Sequence, residues 1–220
     1  MMPQNMSTQD KQAVQQQFWR VRPAAAADED AVADMYREAI ALLASAGVDQ
    51  WQDGYPNAES FRRDLARGES YLLEIGSGQE WTPAGTMYLS FAGEPTYAEI
   101  EGSWGSAEPY GVIHRVALSP LFRGQNLVSA FFIYAADSAE ARGVDVLRID
   151  THEENHRMQS TLARSGFTKR GVIWLNGADH SPKFKRFAYD ADLAALRRHI
   201  QNKPPLRLQW SAGAETKEEV

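Results

Sequence analysis

The sequence predicts a mixed α/β domain, and three observations carry that reading. Residues 111–149 run as strand, glycine-containing loop, helix and strand, a spacing that implies a parallel strand pair with a right-handed crossover. Ser70–Ile75 and Ala84–Phe91 read as two antiparallel strands joined through Gly76-Ser77-Gly78-Gln79-Glu80. Val32, Met35, Tyr36, Ala39, Leu42, Leu43 and Ala46 recur at the spacing of one helix face. With 220 residues and 43% apolar content, the chain can bury one sizeable core, so one domain with tails is expected.

Taken in order, Met1–Gln17 is polar and Gln-rich and reads as a flexible lead-in. Phe18–Arg22 is a first strand, ended by Pro23. The first helix follows the acidic start Asp28-Glu29-Asp30 and stops at Gly47. Val48–Asn57 mixes turn residues with Trp51 and Tyr55 and reads as a loop, and Glu59–Arg67 as a second helix with Phe61 and Leu65 inward. After the two antiparallel strands, Ala92–Tyr110 is irregular and is expected to form a loop beside a functional site. Gly111–Leu118 is an apolar strand that Ser119 and Pro120 terminate. A helix begins near Leu127 with Phe131, Tyr134, Ala135 and Ser138 on one face, and ends at Gly143. Val144–Ile149 is a strand, Asn155–Ser165 a helix ending at Gly166, Phe167–Leu175 and Phe184–Tyr189 the last strands, and Ala191–Ile200 a closing helix before a mobile tail. The domain boundaries are therefore 18–190, with 1–17 and 191–220 outside it.

The formal charge of −6 argues against a nucleic-acid partner, which usually meets a clustered basic surface. Cysteine is absent, which removes disulfides and thiol catalysis and fits a cytoplasmic setting. No apolar run is long enough to span a bilayer, so no membrane role is expected.

The chemically informative stretch is Arg123-Gly124-Gln125-Asn126-Leu127-Val128, with Ser129 following it into the helix. A basic, glycine-containing loop entering a helix N-terminus offers unpaired N–H groups, the positive end of the helix dipole and close backbone approach, which together suit a phosphate or pyrophosphate. The same residues also read more simply, with Asn126 capping a helix and Arg123 solvated.

Val116-Ala117-Leu118-Ser119-Pro120 followed by that loop resembles motif A of the GNAT superfamily of acyl-CoA-dependent N-acetyltransferases, whose loop pattern is Gln/Arg-x-x-Gly-x-Gly/Ala. The downstream run Asp150–Met158, with Asn155, and the ending Ser165-Gly166-Phe167 are similar to the family's second half, and the order β-α-α-β-β-β-α-β-α-β-β is the family's, over Trp19–Asp190. The resemblance implies a mixed, mostly antiparallel sheet with helices on both faces and a central parallel pair splayed at the acetyl-CoA site. It implies acetyl-CoA as co-substrate, held by the backbone at Val116, Ala117 and Leu118, by Arg123–Ser129 and by Asn155. The sequence departs from the pattern at Asn126 and Val128, and Leu162 stands where many members carry a Tyr that protonates the leaving thiolate.

For the chemistry, N-acetyl transfer needs a group to take the amine proton. His114, expected on one side of its strand with Val116 and Leu118, and Glu101, in the preceding loop, are the candidates. Each has a plainer reading, a packed histidine and a solvated carboxylate. Trp51, Tyr55, Trp104 and Tyr110 are candidates to line the acceptor pocket, because the resemblance implies that the first inter-helix loop and the loop before motif A surround the substrate, and aromatic walls with a carboxylate suit a cationic amine. For Trp51 and Tyr55, core packing is an equal alternative.

The resulting expectation is an acyltransferase moving an acetyl group to a primary amine of a small molecule or peptide, with a homodimer left open. The alternative is a catalytically silent acyl-CoA-sensing domain. A remote one is a zinc hydrolase, since His152-Glu153-Glu154-Asn155-His156 matches H-E-x-x-H. That signature needs a continuous helix, and here His152 directly follows a strand, so no metal is expected.

Overall fold

The computed structural model describes residues 18–77, 80–106, 109–176, 182–201 and 209–210. The expected lead-in at 1–17 lies outside them. In chain order the elements are β1 (Phe18–Pro23), α1 (Glu29–Ser45), α2 (Ala58–Ala66), β2 (Ser70–Ser77), β3 (Glu80–Ser90), β4 (Glu101–Gly102), β5 (Gly111–Leu118), α3 (Val128–Glu140), β6 (Val146–His152), α4 (His156–Arg164), β7 (Thr168–Asn176), β8 (Pro182–Asp192), α5 (Leu193–Gln201) and β9 (Gln209–Trp210). The strands form one sheet in the order β4-β7-β8-β6-β5-β3-β2-β1-β9. The pairs β5–β6 and β1–β9 are parallel and the others antiparallel. One expectation changes, in that the 92–110 stretch contributes the short strand β4, and Gln209–Trp210 pair with β1 as β9.

Helices cover both faces. On one, Phe131, Phe132, Ala135 and Ala139 of α3 and Leu196 of α5 pack with Met87, Leu89, Ile113 and Leu147. Fully burying a Phe side chain contributes about 1.5–3 kcal/mol, and Phe131 and Phe132 are both fully buried. On the other face, Val32, Met35 and Tyr36 of α1 and Phe61 of α2 enclose Leu72 and Ala117. A third cluster, Tyr97, Tyr110, Val112, Val146, Ile173 and Ala188, fills the sheet beyond β6. Gly166 turns the chain at the end of α4 with φ +94°, where an added Cβ would lie 2.8 Å from His199 Nδ1.

Two irregularities in β5 make the site. First, β5 pairs with β6 only over Gly111–Ile113, opposite Leu147–Ile149, and beyond Ile113 the two strands part. Second, the β3–β5 register shifts between Tyr88, opposite His114, and Thr86, opposite Ala117. Arg115 and Val116 thus share one place in the ladder, and Arg115 takes the left-handed φ of 51° that absorbs the extra residue. The expectation that His114, Val116 and Leu118 share one side is therefore overturned. Val116 and Leu118 pack toward α3, whereas His114 stacks on Tyr88 and Ala117 joins the α1–α2 core.

Candidate active site

The parted strands open into a cleft of about 950 Å³ bounded by α1, the loop after it, β5, β6, α4 and the start of α3. One end is cationic. Arg123, Gly124, Asn126, Leu127 and Val128 line it from the β5–α3 loop, and Arg157, Met158, Thr161 and Arg164 line it from α4. Gly124 has φ +82° with open space where a Cβ would stand, and Asn126 has φ 57°, a region Asn reaches more readily than other side chains. The Ser129 hydroxyl donates to the Asn126 carbonyl at 2.6 Å, which fixes the entry into α3. Arg123 Nη2 is buried without a hydrogen-bond partner among the described residues. A guanidinium held this way next to a helix N-terminus is a donor awaiting an anion.

The other end is built around His114. Its Nε2 lies 3.2 Å from Glu94 Oε2 and its Nδ1 3.4 Å from Asp150 Oδ1. Asp150 Oδ1 also accepts from the Tyr97 hydroxyl at 2.9 Å, and Glu94 Oε1 accepts from the Thr96 backbone N–H at 3.1 Å and its hydroxyl at 2.9 Å. Burial pushes the Glu94 carboxyl up, but the hydrogen bond and charge of His114, with the donors of Thr96, outweigh it and hold it at about 2. Beside this group the bulge turns Arg115 onto the same face as His114. Its guanidinium pairs with Asp64 of α2 at 2.7 Å, donates to the Tyr55 hydroxyl and covers the Tyr88 ring at 4.3 Å. Burial raises the Tyr55 hydroxyl and the Asp64 carboxyl, and Arg115 opposes both shifts.

A polar clasp closes the cleft across its width. Gln50 Oε1, from the loop after α1, accepts from Asn155 Nδ2 at 3.0 Å and from the His152 backbone N–H at 3.4 Å. Asn155 Oδ1 in turn caps α4 by accepting from the Met158 N–H at 3.1 Å.

Comparison with known proteins agrees with this architecture. The sequence model of the acetyltransferase (GNAT) family matches residues 34–167. The chain belongs to the GNAT acetyltransferase family. A GNAT-family acetyltransferase from Streptococcus agalactiae is 29% identical with a TM-score of 0.67, over 79% of this chain and 95% of that one. One from Listeria monocytogenes is 20% identical with a TM-score of 0.58, over 79% and 94% of the two chains. An acetyltransferase from Salmonella typhimurium, solved with its cofactor acetyl-CoA, is 16% identical with a TM-score of 0.53, over 80% and 94%. Among curated proteins, none matches this chain by sequence.

As a GNAT protein the chain is an acyltransferase that uses acetyl-CoA, and its residues fit that molecule. The orphaned Arg123 Nη2, the open backbone at Gly124 and the left-handed Asn126 suit the phosphates, while the parted edge of β5 leaves room for an extended arm. Val128, a departure from the loop pattern, is half-buried and lines the cleft. Gln125 and Ser129 do not line it; Ser129 is buried beneath the loop. Leu162 is fully buried in the core, far from any role in proton transfer.

At the end built around His114, Trp51 and Tyr55 join it in lining the cleft. Trp51 sits at φ 67° with its ring edge-on to Tyr36. Three sequence candidates do not reach it. Glu101 lies exposed on the edge strand β4, accepting from Trp174 Nε1 at 2.6 Å. Trp104 donates to the Tyr97 carbonyl at 3.0 Å, and the Tyr110 hydroxyl accepts from the Glu94 N–H at 3.3 Å, so both support the site from behind. His152 ends β6 and His156 begins α4, exposed, so the two rings share no helix face. The sequence reading missed Glu94, Asp150, Arg115, Arg186, Arg157 and Arg164. Only the last two carried a local signal: with Thr161 they repeat at helical spacing.

Proposed function

We propose that the protein acetylates a primary amine of a small molecule or peptide by direct attack in a ternary complex. Acetyl-CoA supplies the activated thioester. The loop from Arg123 and the α4 arginines bind its phosphates, and backbone N–H groups near Leu118 polarise the carbonyl. Glu94 and Asp150 attract the acceptor as its ammonium form. His114 takes the proton that the amine must lose, and its two carboxylate neighbours share the positive charge this brings. Leu42, Leu43 and Trp51 wall off water above the reacting groups.

One observation carries this reading. A cleft imidazole is held by carboxylates at both ring nitrogens, at 3.2 and 3.4 Å, on the strand that parts from its parallel neighbour. The test is CoA release from acetyl-CoA with a panel of amines, polyamines, amino acids and peptides. At least one acceptor supports turnover, and His114→Gln lowers kcat about a hundredfold at neutral pH with acetyl-CoA affinity retained. Thermal stabilisation by acetyl-CoA without turnover on any acceptor would instead favour a sensing domain.

A further inference from the structure

Arg186 of β8 is opposite His152 of β6 in the sheet and lines the same cleft. Only 6% of the residue is exposed, yet Nε and Nη1 are buried with no hydrogen-bond partner among the described residues. The nearest carboxylate, Asp150, stands 3.9 Å from Nε, and its other oxygen is engaged by Tyr97 and His114. The charged and titratable groups around the guanidinium are Asp150, Asp53, Tyr55 and Tyr97, with His152 beside it. A buried guanidinium with unmet N–H groups is costly unless something fills them. The cations that suit the phosphates of acetyl-CoA lie on the β5–α3 loop and α4, whereas Arg186 belongs to the end that holds Tyr55, Asp150 and His114.

The geometry points to an acceptor that is an amino-carboxylate, with its carboxylate received by Arg186 and its amine by Glu94, Asp150 and His114. This rests on the acetyl-transfer reading above and narrows it. Planar guanidinium donors match a carboxylate fork, and two acidic groups a few ångströms away match an ammonium, so the polar pattern of the cleft is that of a zwitterion.

The test compares amino acids with their decarboxylated amines, L-phenylalanine against phenethylamine and L-methionine against 3-(methylthio)propylamine, in wild type, Arg186→Gln and Arg186→Lys. In wild type, kcat/KM favours the amino acid by about a hundredfold, because a site built for a polar group rejects the analogue lacking it. Arg186→Gln brings that ratio near one with acetyl-CoA affinity unchanged. Arg186→Lys, which keeps the charge without the fork, lowers it several-fold and guards against a folding defect in the first variant. Equal use of both compounds by wild type, or a ratio that survives both substitutions, overturns the inference while leaving acetyl transfer intact. A second readout separates the two readings: thermal stabilisation of the CoA complex by the same compounds. Carboxylate-dependent stabilisation that Arg186→Gln abolishes, without turnover, upholds the carboxylate site and overturns transfer. Neither stabilisation nor turnover overturns the site.

Discussion

Arg115 Nη2 lies 2.7 Å from Asp64 Oδ2, an ion pair with only 12% and 7% of the two side chains exposed. It joins the β5 bulge to α2, and Arg115 also donates to the hydroxyl of Tyr55, which lines the cleft. Removing the cation leaves a buried carboxylate unpaired, so Arg115→Ala is expected to cost about 3–5 kcal/mol in urea unfolding near neutral pH. Burial already holds the Asp64 carboxyl above its ordinary range, with Arg115 opposing the shift. Without Arg115 the raised folded-state pKa penalises folding above it, and protonation relieves the penalty as pH falls. The deficit of the variant therefore narrows in mild acid. Arg115→Ala with Asp64→Ala recovers part of the loss at neutral pH, and a double variant no more stable than the single one would remove the pairing argument.

Glu94 carries the opposite pKa shift, and its deficit too narrows as pH falls. Burial raises its carboxyl, but His114 and Thr96 outweigh that and bring it from 4.5 to about 2. A carboxyl depressed in the folded state contributes stability that is present above its unfolded pKa and lost as pH falls through the folded one. Wild type should therefore exceed Glu94→Gln by about 1.5 kcal/mol at neutral pH, the scale of a hydrogen bond to a charged group. The two stability curves converge between pH 4.5 and 2. Parallel curves across that window would show that the carboxylate charge makes no contribution.

Signals contained within a few residues were legible in the sequence. The loop Arg123–Val128, the Asn155 cap and the Gly166 turn each follow from local backbone needs, and each stands where the residues indicated. What was not legible depends on pairing between distant segments. Nothing in Gly111–Leu118 marks Arg115 as a bulge, since the register shift arises against Met87 on β3. Glu94 meets His114 from 20 positions earlier in the chain, across the loop that carries β4, and Arg186 approaches Asp150 only because β8 pairs with β6. Glu101 illustrates the converse: proximity in sequence to β5 suggested a site residue, while pairing with β7 carries it to the far edge of the sheet.

Asn126 tests whether loop conformation or side-chain identity matters. At φ 57° a β-branched residue is disfavoured by about 1–2 kcal/mol, whereas Gly adopts the conformation freely. Asn126→Gly should leave acetyl-CoA affinity within about threefold of wild type, and Asn126→Val should weaken it about tenfold, measured by titration calorimetry. Equal weakening by both would assign the effect to the lost amide instead of the backbone.

The cationic end of the cleft separates one half-buried arginine, with a buried Nη2, from two exposed ones. Among the described residues Arg123 Nη2 is buried and unpartnered, so if the loop holds a phosphate, Arg123→Glu opposes it with an anion and should weaken acetyl-CoA binding at least about tenfold. Arg157 and Arg164 are exposed on α4, where solvent and salt screen them. Arg157→Ala and Arg164→Ala should each cost about two- to fivefold at low ionic strength and less near physiological salt, where the Debye length is about 8 Å. The Arg123 effect should persist under the same change, because its donor is out of solvent. Acetyl-CoA affinities measured across a salt series for the three variants check this directly, and a uniform salt dependence would place Arg123 with the other two in solvent.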